Sequence, residues 1–176
     1  MDATPDRTPV VVVAYDPAWP EIYERVATEL RARFPGHAVI HIGSTAVPGL
    51  AAKPVVDIAL IVDDAAEEST YLPELTDAGF RLVVREPDWN EHRMFKRDAP
   101  AINLHVYPAG CEEVGRLVRF RDWLRTHDDD RDLYARTKQE LAARSWEHVQ
   151  GYADAKSGVV AEILARASGH SPPPDL

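Results

Sequence analysis

His41-Ile-Gly-Ser-Thr-Ala-Val-Pro-Gly-Leu-Ala-Ala-Lys-Pro-Val-Val-Asp-Ile-Ala-Leu-Ile-Val62 joins two apolar, strand-like runs through a loop of small residues. The loop carries Gly43, Ser44, Thr45, Pro48, Gly49 and Lys53. The second run, Val55 to Val62, reads as a buried strand with a single carboxylate, Asp57, inside it. Alternation along a strand puts Val56, Ile58, Leu60 and Val62 on one face, and Asp57 with Val55, Ala59 and Ile61 on the other. A carboxylate buried without a partner is costly, so Asp57 is expected to meet a cation, a metal or a hydrogen-bond donor.

Upstream, the β-branched run Val10 to Ala14 reads as a strand. Asp16 can cap a helix that has Pro17 at its first position. Trp19, Ile22, Tyr23, Val26 and Leu30 fall at helical spacing, which makes Trp19 a core residue. Pro35-Gly36 ends that helix, and Ala38 to Ile42 gives the next strand. Downstream, Asp63-Asp64 can start a helix continuing to about Ala78, with Gly79 at its end. Phe80 to Arg85 reads as a strand and Glu86 to Glu91 as a polar loop. The short segment His92 to Arg97 leads to a turn at Asp98-Ala-Pro100. Ala101 to Tyr107 alternates, with Ile102, Leu104 and Val106 towards the core and Asn103, His105 and Tyr107 opposite. The expectation is an α/β (α+β) fold: a mixed sheet with one face covered by helices and the other carrying Asp57 and His105.

From about Glu112 to Ala167 the period becomes helical, with breaks at Asp128 to Arg131 and Ser145 to Gly151. In each of three successive helices a cation interrupts the apolar stripe. Arg121 lies between Leu117 and Leu124, Lys138 between Tyr134 and Leu141, and Lys156 between Tyr152 and Val160. Charges usually occupy the solvated face, although long cationic side chains can snorkel from a stripe's edge. An inward cation needs an anionic partner or a wet cleft. Asp57 or Asp122 can serve, and so can the phosphates of a ligand between sheet and helices. Lys53, Arg93, Lys96 and Arg97 can add to the same field.

The 176 residues suit one domain, residues 1–176, with a core at about 9–167 and flexible polar ends at 1–8 and 168–176. The formal charge of −9 argues against a protein that coats nucleic acid, but it leaves room for a local basic pocket. Cys111 is the single cysteine, so neither an internal disulfide nor a cysteine-rich zinc site can form. There is no signal-peptide pattern and no apolar run of membrane-spanning length, so a cytoplasmic protein is expected. Oligomeric state is not readable from the sequence.

The run His41 to Ile58 resembles the hallmark of the GrpB family of nucleotidyltransferase-like proteins. Asp16-Pro-Ala-Trp19, Asn103-Leu-His105-Val and Phe120-Arg121-Asp122 are similar to further landmarks of that family. The resemblance implies a nucleotidyltransferase-like fold. It also implies transfer of a nucleotidyl group from a nucleoside triphosphate, with divalent metal, magnesium or manganese, organising the phosphates. Gly43, Ser44 and Thr45 would then hold phosphate oxygens, with Lys53, Arg93, Arg121, Lys138 and Lys156 supplying charge. The chain departs from the active pattern. Where active members carry two carboxylates two residues apart, it has Asp57 and Ala59, and the neighbouring strand offers Asn103 and His105.

Three mechanisms are open. Asp57 can hold one magnesium ion with the substrate phosphates. Asp57, His105 and His41 can form a mixed transition-metal site. Or His105, oriented by Asp57, can act as an acid–base group. Asp57, Ser44 and His105 are the catalytic candidates, although no base stands beside Ser44 in the sequence. The leading expectation is an enzyme of this type acting on a small phosphorylated substrate, a nucleotide or coenzyme precursor. The alternative is a non-catalytic module that binds nucleotide or polyphosphate and has lost the full carboxylate set.

Overall fold

In the computed structural model, which describes residues 10–144 and 149–169, the chain runs α1 (Ala18–Arg33), β1 (Val39–Ile42), β2 (Val56–Val62), α2 (Leu72–Asp77), β3 (Arg81–Glu86), β4 (His92–Asp98), β5 (Ala101–Pro108), α3 (Glu112–Thr126), α4 (Asp128–Ala142) and α5 (Val149–Gly169). The sheet has five strands in the order β1-β2-β5-β4-β3. Among the described strands only the β2–β5 pairing is parallel. A parallel pair needs a long crossover, and here the chain from α2 to β4 supplies it. Of the loose ends expected at 1–8 and 168–176, residues 1–8 and 170–176 lie outside the described residues, as does most of the break expected from Ser145, while Ser168 and Gly169 close α5. Among the described residues no helix is long and apolar enough to cross a membrane.

The alternation of β2 is realised as expected. Val56, Ile58, Leu60 and Val62 are buried with Ile102, Leu104 and Val106 of β5 against Trp19, Val26, Leu30 and Leu75. α1 begins where Asp16 Oδ1 accepts the N–H of Ala18 at 2.8 Å, and Trp19 is a core residue. Helices do not cover one face alone. On the opposite face Ala59, Tyr107 and Ile42 pack against Val114 and Leu117 of α3. The same side of the molecule holds a second apolar cluster, where Val47 and Leu50 of the loop meet Leu124, Tyr134 and Ile163. The loop after Gly43 is therefore pinned at two apolar points, and Asp57 faces a cleft under α4 and α5.

The break expected at Asp128 to Arg131 falls instead at His127 alone, and those four residues form the first turn of α4. Three other elements also differ from expectation. Val10 to Ala14 makes one bridge, Val13 to Ala52, rather than a strand. Pro54, just beyond that bridge, has no N–H with which to extend a ladder. Asp63 to Ala78 is not one helix. Asp64 Oδ1 takes the N–H of Ala66 and Thr70 Oγ1 bonds the carbonyl of Glu67. Such local polar bonds compete with helix, and α2 starts only at Leu72, with Pro73 in its first turn. His92 to Asp98 is a full strand, β4, paired on both sides.

Candidate functional site

Register builds the floor of the cleft. Asp57 on β2 lies beside Asn103 on β5, and Asn103 pairs with Lys96 on β4. His105, two residues beyond Asn103, shares its face and brings Nε2 to 3.4 Å from Oδ1 of Asp57. The loop forms the rim. Gly43 has φ +74°, and a Cβ there would stand 2.8 Å from Oδ2 of Asp57. Glycine thus serves twice, by allowing the turn and by letting the carboxylate pack against the loop backbone. Ser44 and Thr45 follow in a short 3-10 turn, Ser44–Ala46.

The helical third brings cations to this floor. Ser44, Lys53, Asp57, His105, Lys138 and Lys156 line one cavity of about 570 Å³. Lys138 Nζ donates to Ser44 Oγ at 2.9 Å and to the carbonyl of Ala51. It also lies 4.7 Å from the centre of the Tyr134 ring. The Tyr134 hydroxyl meets Ser44 as well, and burial pushes its pKa up to about 12. Lys156 and Lys53 approach the Tyr152 ring at 4.6 and 5.1 Å. Tyrosine faces attract ammonium groups, which helps to hold like charges in one cleft.

Burial and mutual repulsion lower the proton affinity of these lysines. Lys138 falls to about 7, first by desolvation and then by Lys156 and Lys53, with Asp57 opposing. Lys156 falls to about 8 through desolvation and Lys53, again against Asp57. Lys53 is lowered by burial, raised in part by Asp57, and lowered again by Lys96. Among the described residues that line the cleft, one carboxylate, Asp57, stands beside four lysines, so this lining is short of negative charge.

Three expected site residues lie elsewhere. Arg93 is on the opposite face of β4 from Lys96, because alternation separates odd from even positions. It is buried against Glu68, whose Oε1 accepts from Nε at 2.7 Å. Arg121 packs behind the loop, donating to the carbonyl of His41 at 3.0 Å and to Asp122 at 2.8 Å. Arg125 grips the carbonyl of Ala46 from the same side. These arginines hold the loop in place, and Arg121 lines a separate cavity of about 440 Å³. His41 pairs with Ile58, so it faces α1 rather than Asp57. Its Nε2 meets Thr45 Oγ1 at 2.9 Å and its ring stacks on Tyr23. Burial, chiefly, pushes its pKa down to about 4.

Two residues to which the sequence reading gives no site role reach the site through His105. Its Nδ1 is 2.9 Å from Nε2 of His92, and Nδ1 of His92 is 2.6 Å from Oε2 of Glu86. His92 has only 6% of its side chain exposed. It packs between Trp89, His105 and Tyr107. No sequence pattern marks His92, because Glu86 reads as the start of a polar loop and His92 as the start of a short segment rather than as facing strand residues.

The donors suit a pair of divalent ions poorly. Magnesium and manganese prefer several oxygen ligands, and the cleft offers one carboxylate among lysines. Among the described residues no group of three or more His, Cys, Asp or Glu could hold an ion. The mixed site expected from His41, His105 and Asp57 is not assembled, since His41 lies across the sheet.

Comparison with known proteins gives a consistent neighbourhood. A family model described as GrpB protein matches residues 9–166. A UPF0157 protein of Halalkalibacterium halodurans is 50% identical over 166 residues, covering 93% of this chain and 85% of the relative. The crystal structure of conserved protein GrpB from Enterococcus faecalis matches with a TM-score of 0.76 at 27% identity, over 89% of this chain and 98% of that one. A dephospho-CoA kinase of Mycolicibacterium paratuberculosis is 27% identical over 190 residues, which is 92% of this chain and 46% of the kinase.

Proposed function

This chain belongs to the GrpB family, and we propose that its lysine-lined cleft is the site of a cytoplasmic, nucleotidyltransferase-like enzyme acting on a small phosphorylated substrate. The observation that carries this reading is the meeting of Lys53, Lys138, Lys156 and Ser44 around Asp57 in one cavity. Phosphates match what the cleft lacks. They supply negative charge to lysines whose proton affinity burial and mutual repulsion depress. Lys138 and Ser44 would bind phosphate oxygens, Lys53 and Lys156 would flank them, and Asp57 with His105 would face the acceptor. The relative named dephospho-CoA kinase supports coenzyme precursors, beside nucleotides, as the substrate class.

The test is incubation with a panel of nucleoside triphosphates and coenzyme fragments, with and without magnesium or manganese, followed by pyrophosphate release. Asp57→Asn should abolish turnover while leaving thermal unfolding cooperative. Undiminished turnover in that variant would remove Asp57 from the chemistry.

A second reading has its own observation. Ala59 and Asn103 stand where a metal-dependent site would want carboxylates. A non-catalytic binding module would use the same lysines to hold a nucleotide or polyphosphate. It predicts thermal stabilisation by ligand, insensitivity to chelators and no product.

A further inference from the structure

Glu86, His92, His105 and Asp57 form a file across the sheet, one residue from each of β3, β4, β5 and β2. Successive contacts are 2.6, 2.9 and 3.4 Å. A carboxylate can only accept, so the contact of Glu86 with Nδ1 of His92 places a proton on that nitrogen. Neutral His92 then presents a bare Nε2 to His105. Nδ1 of His105 must supply the hydrogen, which leaves its own Nε2 bare. That nitrogen faces Oδ1 of Asp57, another acceptor. The 3.4 Å between them exceeds the roughly 2.7–2.9 Å of a charge-assisted bond. Two acceptors side by side ask for one donor between them.

We propose that Glu86 and His92 are positioning residues that fix the tautomer of His105, so that its Nε2 and Oδ1 of Asp57 together receive a hydroxyl group of the ligand. The aromatic packing of His92 against Trp89 and Tyr107 holds its ring in line. Burial lowers the proton affinity of His92, against the pull of Glu86. The hydroxyl, though not the tautomer, rests on the function proposed above. In nucleotidyl transfer the hydroxyl oxygen bonds the α-phosphorus of a nucleoside triphosphate. The bond from that phosphorus to the leaving pyrophosphate breaks, and pyrophosphate departs with the electron pair. The hydroxyl proton passes to Nε2 of His105.

Long-range proton–nitrogen NMR on the nitrogen-15-labelled full chain reads each histidine's tautomer without any ligand. Above about pH 8 imidazoles are neutral. There His105 should carry its proton on Nδ1, with Nε2 giving the signal of an unprotonated nitrogen. In Glu86→Ala, His92 is free to place its proton on Nε2, and His105 should switch to the Nε2–H form. His92→Phe keeps a ring in the aromatic packing and should switch it too. The Glu86 side chain is 46% exposed, so that variant should fold even if His92→Phe does not. An Nε2–H form of His105 in the unsubstituted protein, or an unchanged Nδ1–H form in Glu86→Ala, overturns the proposal. Where turnover is found, Glu86→Ala should lower kcat at least about tenfold with little change in KM for the triphosphate. Absence of turnover in the unsubstituted protein would defeat the transferase reading and leave the tautomer to decide this one.

Discussion

Replacing Lys138 with methionine should stabilise the empty protein and weaken its hold on polyphosphate. Lys138 is 3% exposed, and its pKa falls from 10.5 to about 7. At about 1.4 kcal/mol per pH unit, that displacement corresponds to about 5 kcal/mol against the charged form. The unfolded lysine keeps its proton up to the ordinary value, while the folded one loses it above about 7. The destabilisation is therefore full below pH 7 and fades as pH rises towards 10.5. Methionine removes it but leaves the carbonyl of Ala51 without this donor, which costs about 1–3 kcal/mol. The net expectation at neutral pH is a gain of about 2 kcal/mol, or about 4–8 °C in a chain of this length. Near pH 10 the gain should vanish or change sign. Thermal unfolding across pH, with and without inorganic tripolyphosphate, measures both parts. Tripolyphosphate should raise the Tm of the unsubstituted protein more than that of the variant. A variant less stable at neutral pH, with a difference that does not move with pH, would refute a lysine strained by burial.

Gly43→Ala should destabilise the fold by about 1–3 kcal/mol, because its φ of +74° suits glycine and the new Cβ would displace Asp57. It should also lower tripolyphosphate affinity, measured by calorimetry. Glu68 is held at about 2 by Arg85 first and Arg93 second. Its contribution is present above its ordinary value of 4.5 and is lost as pH falls towards about 2. Glu68→Gln should therefore lower stability near neutral pH, by less than the full shift implies because solvent screens the exposed Arg85, and flatten the acid limb of the unfolding curve. Arg121→Lys should reduce stability by about 1 kcal/mol through the lost bond to the His41 carbonyl. It should leave tripolyphosphate affinity within about twofold, since its side chain lies behind the loop; a larger loss by calorimetry would return Arg121 to the ligand site.

Asp57 and the two lysines were legible because each breaks a pattern. A carboxylate in a strand of valines and leucines, or an ammonium in a helical stripe, is expensive to bury without a purpose. What the pattern lacks is distance. Lys138 reaches Ser44 across 94 residues of sequence, and no spacing within one helix foretells that. Arg121 shows the ambiguity. Its stripe looks like that of Lys138, yet its guanidinium ends on the His41 carbonyl and the Asp122 carboxylate on the far side of the loop. The histidines turn on parity. His105 faces Asp57 because their strands are parallel neighbours, whereas antiparallel pairing with Ile58 sends His41 to the other face. β4 escaped notice because both of its faces carry charge. Lys96 and His92 serve the cleft while Arg93 and Arg97 pair with Glu68 and Glu29, so the period of two never shows as hydrophobicity.

An acidic protein with a cationic cleft is consistent once proton affinity is considered. The overall charge of −9 repels large polyanions at long range, while the cleft attracts a small one that can enter it. The cleft limits its own repulsion by letting Lys138 and Lys156 give up protons at about 7 and about 8. A bound phosphate raises both values again, so binding must draw protons from solution. Between about pH 7 and 10 affinity should therefore fall as pH rises, because the protons that binding requires become scarcer. Calorimetry of tripolyphosphate binding in two buffers of different ionisation enthalpy counts those protons directly. An uptake near zero at pH 8 would mean that the lysines are fully charged before the ligand arrives, and the cleft would then need a counter-charge that Asp57 alone does not provide.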